Sequence, residues 1–259
     1  AYNSVTIPAS GTGAAVTPEL TVKVDDSVWT KTKSITVTRS PSSATVKVTT
    51  PSGTTTTLSG SSYTATTNGV YKFTLTYGGE TITRQVVVSK IDKTAPTATI
   101  NDLPGNSYTE RIDLNFSVCD GDSGVKTVTA KWGSTVVTAT KNSDGTYTVT
   151  CPAKTGTYTL SVTVTDNAGN SVTVKSKKYT VNLDAPILTL TKTKETKTGV
   201  KYSYSVNANG NTDIIISLPD STKTSALSGE FTIVEAGNYI VVVTDAAGHY
   251  VSEIINVTA

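Results

Sequence analysis

Apolar and polar residues alternate along almost the whole chain. Ser34-Ile35-Thr36-Val37-Thr38 alternates, as do Ile112-Asp113-Leu114-Asn115-Phe116-Ser117-Val118 and Tyr158-Thr159-Leu160-Ser161-Val162-Thr163-Val164. A period of two places one set of side chains on a buried face and leaves Thr and Ser in water. Apolar residues at helical spacing are not sustained over two turns anywhere. Turn chemistry punctuates the strands at Pro51-Ser52-Gly53, Gly78-Gly79, Ser143-Asp144-Gly145 and Asn167-Ala168-Gly169-Asn170. Short strands at this spacing predict β-sandwiches or barrels.

One element recurs three times. It is Asn68-Gly69-Val70-Tyr71-Lys72-Phe73, then Thr155-Gly156-Thr157-Tyr158-Thr159-Leu160, then Ala236-Gly237-Asn238-Tyr239-Ile240-Val241. The copies stand roughly 80–90 residues apart, about one sandwich each. Gly-x-Tyr at the entry of a sixth strand resembles the tyrosine corner of immunoglobulin sandwiches, so Tyr71, Tyr158 and Tyr239 are read as structural. Phe73, Leu160 and Val241 stand where such domains often carry a cysteine, so apolar packing replaces the disulfide. The fold class expected is all-β: three tandem immunoglobulin-like β-sandwich domains. Their bounds are 18–92, 93–183 and 184–259, with 1–17 a linker or the end of a preceding domain. Ile91-Asp92-Lys93-Thr94-Ala95-Pro96 and Asn182-Leu183-Asp184-Ala185-Pro186 form short linkers that proline stiffens, predicting an elongated rod.

Asp92-Lys93-Thr94-Ala95-Pro96-Thr97, Thr165-Asp166-Asn167-Ala168-Gly169-Asn170 and Trp29-Thr30 resemble the bacterial Ig-like repeats of Gram-positive cell-surface and extracellular proteins. The resemblance covers nearly the whole chain and is clearest from Ser27 to Gly169. The third domain departs most, with Ala246 and His249 in place of two Asn. The resemblance implies adhesion, stalk or spacer roles at the bacterial cell surface or outside the cell, within a larger surface protein, and no enzyme. A host protein or glycan is the implied partner, an immunoglobulin or a mucin for example. The competing reading is a carbohydrate-binding or accessory region of a secreted glycoside hydrolase.

Composition narrows this further. Charged residues are only 16% of the 259 and the formal net charge is +2, with the lysines scattered, so nucleic-acid binding is not expected. No apolar run reaches the ~20 residues of a membrane span, and membrane insertion is not expected. The chain holds no Met and reads as an internal fragment or processed form.

Candidate chemistry is sparse. Asp92, Asp120, Asp122 and Asp166 fall near a domain junction, and Cys119-Asp120-Gly121-Asp122-Ser123-Gly124 is rich in oxygen donors. The plainer reading is that Asp and Gly build and cap turns. Calcium is the one cofactor considered, and Asp92 with Asp120 and Asp122 would hold it. Cys119 and Cys151 are expected at far ends of neighbouring antiparallel strands, hence unpaired. His249, the only histidine, is expected exposed in a turn with no catalytic partner. Trp29 is expected to pack, and Tyr202 and Tyr204 to lie in the core. Trp132, beside the Gly133-Ser134 turn, is expected exposed and is the candidate binding residue. Nothing in the sequence locates the buried Lys, Asn and acid of an intramolecular isopeptide bond.

Overall fold

The computed structural model describes residues 16–211 and 213–258, and all the regular structure there is β-strand. The first sandwich has seven strands: β1 (Glu19–Val24), β2 (Lys33–Ser40), β3 (Thr45–Thr49), β4 (Thr55–Thr57), β5 (Ser62–Ala65), β6 (Gly69–Tyr77) and β7 (Glu80–Val88). They form sheets ordered β1-β2-β5 and β4-β3-β6-β7. The alternation predicted these faces. Ile35 and Val37 of β2, Val46 and Val48 of β3 and Tyr71, Phe73 and Leu75 of β6 share one core. Each such side chain contributes about 1.5–3 kcal/mol by leaving water. The β6–β7 hairpin closes at Tyr77 opposite Glu80. Gly78 and Gly79 have φ of 60° and 85°, as the two central positions of a tight hairpin turn require.

The second sandwich contains β8 (Thr97–Asn101), β9 (Ser107–Tyr108), β10 (Ile112–Cys119), β11 (Val125–Trp132), β12 (Thr135–Val137), β13 (Ala139–Lys141), β14 (Tyr147–Cys151), β15 (Gly156–Tyr158), β16 (Leu160–Asp166), β17 (Ser171–Lys175) and β18 (Tyr179–Val181). Its two main sheets run β13-β14-β10-β8 and β12-β11-β16-β17, with a small third sheet β15-β18-β9. The third sandwich contains β19 (Ile187–Thr196), β20 (Gly199–Asn207), β21 (Ile215–Ser217), β22 (Lys223–Thr224), β23 (Ser228–Ile233), β24 (Gly237–Thr244) and β25 (Tyr250–Val257). Its sheets, β19-β20-β23 and β22-β21-β24-β25, repeat the three-plus-four plan of the first. Tyr204 is in its core and Tyr202 is half-buried against it.

By compactness the chain divides into two units. One takes residues up to Pro96 together with Asp120–Lys126 and Thr165–Ser171. The other takes Thr97–Cys119, Thr127–Val164 and the chain from Val172 onward. The first unit therefore gathers the linker that follows β7 and two loops that open and close strands of the second sandwich. This places the acids below.

Candidate functional site

After β7 the chain pairs once more, Ile91 with Thr30, and the Asp92 amide donates to the Thr30 carbonyl at 3.0 Å. That pairing buries Asp92, which is only 2% exposed. One carboxylate oxygen accepts from the Thr94 amide at 2.8 Å, capping the turn that leads to Pro96; the other accepts from the Ser123 amide at 3.2 Å. Asp120 accepts from the Gly124 amide at 2.5 Å, which closes its own loop. Asp166 ends β16 and accepts twice from Asn170, from the backbone amide and from the side-chain amide, both at 2.8 Å. The Asn170 side chain also reaches the Asp92 carbonyl at 3.2 Å. Asn167 donates to the Ser123 and Gly124 carbonyls.

These bonds bring one oxygen each from Asp92, Asp120 and Asp166 within 4.8 Å of one another. At that separation each pair of charges repels by about 3 kcal/mol or more for an effective dielectric near 20. No Lys, Arg or His forms an ion pair with the trio among the described residues. Burial acts to raise the Asp92 pKa, but Ser123 and Thr94 outweigh it and hold Asp92 below the ordinary 3.8. The Ser123 hydroxyl is buried and completes no hydrogen bond. Three carboxylates and an unsatisfied hydroxyl form an oxygen-only donor set, the kind that hard cations such as calcium take, with further oxygens from water.

The sequence-predicted residues divide. Asp92 and Asp120 meet, but Asp122 is exposed and outside the group; Asp166 takes its place. Loop parity explains this, since the Asp120 carboxylate turns back onto Gly124 and leaves Asp122 on the outer side. A sequence signal for Asp166 and Asn170 existed in the Thr-Asp-x-Ala-Gly turn, which recurs in the third domain.

Trp132 is not exposed. It is 3% accessible and stacks on Tyr158 at 5.2 Å between centroids. The inward parity of β11, shared with Ala130, persists to its last residue, and the glycine turn begins only after it. His249 is not a free turn residue either. Its Nδ1 lies 2.8 Å from a carboxylate oxygen of the buried Asp245, and its side chain is 15% exposed. Trp29 is half-buried.

The tyrosines hold their corners unequally. Tyr71 donates to the Thr67 carbonyl at 2.9 Å and Tyr239 to the Glu235 carbonyl at 3.1 Å, while Tyr158 reaches the Thr155 carbonyl only at 3.4 Å. Cys119 and Cys151 are both free. Cys151 pairs with Ile112 at the start of β10 and Cys119 ends that strand, so the thiols stand about 20 Å apart along it. Burial, with a smaller contribution from Asp113, pushes the Cys151 thiol up to about 12. One feature had no sequence signal: Lys33 is buried, and its ammonium donates to the carbonyls of Asp25 and Val28 with Asp26 at 3.8 Å.

Among solved structures, the titin I-band fragment I67–I69 is similar at a TM-score of 0.54 and 11% identity, covering 95% of this chain and 99% of that one. The immunoglobulin domains 1–5 of Sidekick-1 align at a TM-score of 0.37 and 15% identity, covering 96% of this chain and 60% of theirs. The fibronectin(III)-like modules of Clostridium thermocellum CbhA align at 0.33 and 18%, covering 62% and 94%. No curated protein matches the chain. The titin likeness carries the fold alone: an all-β chain of tandem immunoglobulin-like sandwiches. Within it, residues 81–185, from the last strand of the first sandwich through the linker and the second, match the family model described as Bacterial Ig-like domain.

Proposed function

We propose that the chain is a non-catalytic module of an extracellular or cell-surface bacterial protein, acting as an adhesin or stalk that binds, or presents binding to, a host protein or glycan. The observation that carries this reading is where the convergent polar chemistry sits. It lies at the linker and the loops gathered with it in one compact unit, and not in a cleft between strands. Asp92, Asp120 and Asp166, with the Ser123 hydroxyl, would hold a calcium ion there. The ion would supply positive charge that cancels the mutual repulsion of three carboxylates.

Titration calorimetry with calcium chloride tests the metal, and a host-protein pulldown beside a glycan array tests the partner. Calcium at one hundred times its Kd is expected to stabilise the chain by about 2.7 kcal/mol. A melting temperature that neither calcium nor chelator moves overturns the metal assignment. Failure to retain any host protein or glycan overturns the adhesive role.

A further inference from the structure

The Gly-x-Tyr tyrosine of the second sandwich is out of the place its counterpart occupies. Tyr71 is 1% exposed within the first core. In the second sandwich the buried aromatic rings are instead Trp132 and the fully buried Tyr179, 6.1 Å apart. Tyr158 is only half-buried and stacks on Trp132 with planes 23° apart. Two glycines clear a slot for the ring. A Cβ at Gly133 would lie 3.2 Å from it, and one at Gly156 would lie 2.8 Å from its hydroxyl. The ring is thereby held as a half-buried platform whose position does not depend on a ligand.

Tyr158 lines an open groove of about 550 Å³. Its other walls are hydroxyls from Thr157, Thr159 and Ser161 and the run Lys175-Ser176-Lys177-Lys178, with no acidic residue. Lys177 is engaged elsewhere: its ammonium bonds the Pro104 carbonyl at 3.3 Å and lies 5.5 Å over the Tyr179 ring. Lys175 and Lys178 are exposed and form no ion pair among the described residues. The groove thus joins an aromatic platform, hydroxyls and two free positive charges. The third sandwich surrounds its Tyr239 differently, with Glu235 on the preceding turn, exposed Ile240 next to it on β24 and exposed Ile254 on the paired β25.

We propose that this groove of the second sandwich binds an acidic saccharide. A pyranose face would lie against Tyr158, its carboxylate at Lys175 and Lys178, and its hydroxyls at Thr157, Thr159 and Ser161. The inference rests on reading the chain as a binding module and names the ligand class and face.

The test is titration calorimetry of the whole chain, in constant calcium, with a hyaluronan tetrasaccharide and with chitotetraose as the neutral comparator. The uronate sugar is expected to bind and the neutral one not to saturate. Lys175→Gln with Lys178→Gln should weaken binding at least tenfold with the melting temperature unchanged, since both side chains are exposed. Tyr158→Leu should do the same if the platform carries the sugar ring. Equal binding of the two sugars, no binding of the uronate, or binding indifferent to the lysine pair overturns the proposal. In the last two cases a host ligand retained by both wild type and variant leaves the module reading standing and removes only this groove.

Discussion

Two linkers of the same frame meet two turns of the same frame, and they settle their buried polar groups in opposite ways. In the first, Asp92 caps the amide two residues on; in the second, Asn182 caps Asp184 in the same manner at 3.1 Å. The turn that closes the first is Asp166 to Asn170, and the corresponding turn of the third sandwich is Asp245 to His249, each with an aspartate accepting the amide four residues later. The backbone plan is thus shared. The charge is not. The first place concentrates Asp92, Asp120 and Asp166. At the second, Asn182 replaces the first of these and Ala208 stands two residues past the last strand valine, where the first has Asp120. Asn182 instead donates to the side chain of Asn211, whose own amide donates to the Asp184 carbonyl at 2.7 Å. The buried carboxylate of the corresponding turn, Asp245, is met by His249. A buried polar place either pairs neutral donors with acceptors or gathers charge that needs a counter-ion. This chain uses both solutions.

The sharpest break of that comparison is Asp92→Asn, which writes the second linker's residue into the first. The Thr94 cap survives, because the amide oxygen still accepts, while the Ser123 amide loses its acceptor. One charged ligand is lost, and most of the ~2.7 kcal/mol of calcium stabilisation should go with it at fixed calcium. Melting with and without chelator reads this out; a variant that keeps its calcium response contradicts the trio. Asp245→Ala should cost about 2 kcal/mol by leaving the His249 amide and ring without an acceptor, and calcium should not change that cost. Urea unfolding in both conditions checks it. Asn182→Asp removes the donor to Asn211 and sets a carboxylate against its oxygen. A loss of about 1 kcal/mol is expected, with no calcium response, since Ala208 supplies no ligand.

Acid gives a gentler test within the first sandwich. Burial acts to raise the Asp26 pKa, but bonds from Ser89 and Lys90, with Lys33 nearby, bring it below 3.8. A carboxylate depressed in the folded state stabilises above its unfolded pKa, and that stabilisation is lost as pH falls through the folded value. Urea midpoints should therefore drop below about pH 4, and Asp26→Asn should flatten that drop. The smallest effect is expected for His249→Asn, which restores the Asp–Asn pair of the second sandwich: a change within about 0.5 kcal/mol, read by thermal melting.

Much of this was legible in the chain, for identifiable reasons. Strand faces followed from a two-residue period, so Ile35, Phe116 and Val162 lie inside as their parity demands. The unpaired cysteines followed from antiparallel pairing, which puts Cys151 beside Ile112 and Cys119 at the other end. The errors came where a local rule met a partner distant in sequence. A glycine turn beside Trp132 signals exposure, but Tyr158 and Tyr179 cover the indole from strands of another sheet that only the fold brings near.

What the sequence by itself determined was the fold class, the repeat and the identity of the turns, because these rest on periods and propensities within a few residues. Which acids meet was decided by the tertiary structure. Asp92, Asp120 and Asp166 are separated by tens of residues, and their oxygens converge only because the Ile91–Thr30 pairing, the Gly124 loop closure and the Asn170 bonds fix three separate backbones at once. Asp122, two residues from Asp120 and identical in chemistry, faces water instead. Local sequence specifies a donor, and only the assembled sheets specify what it faces.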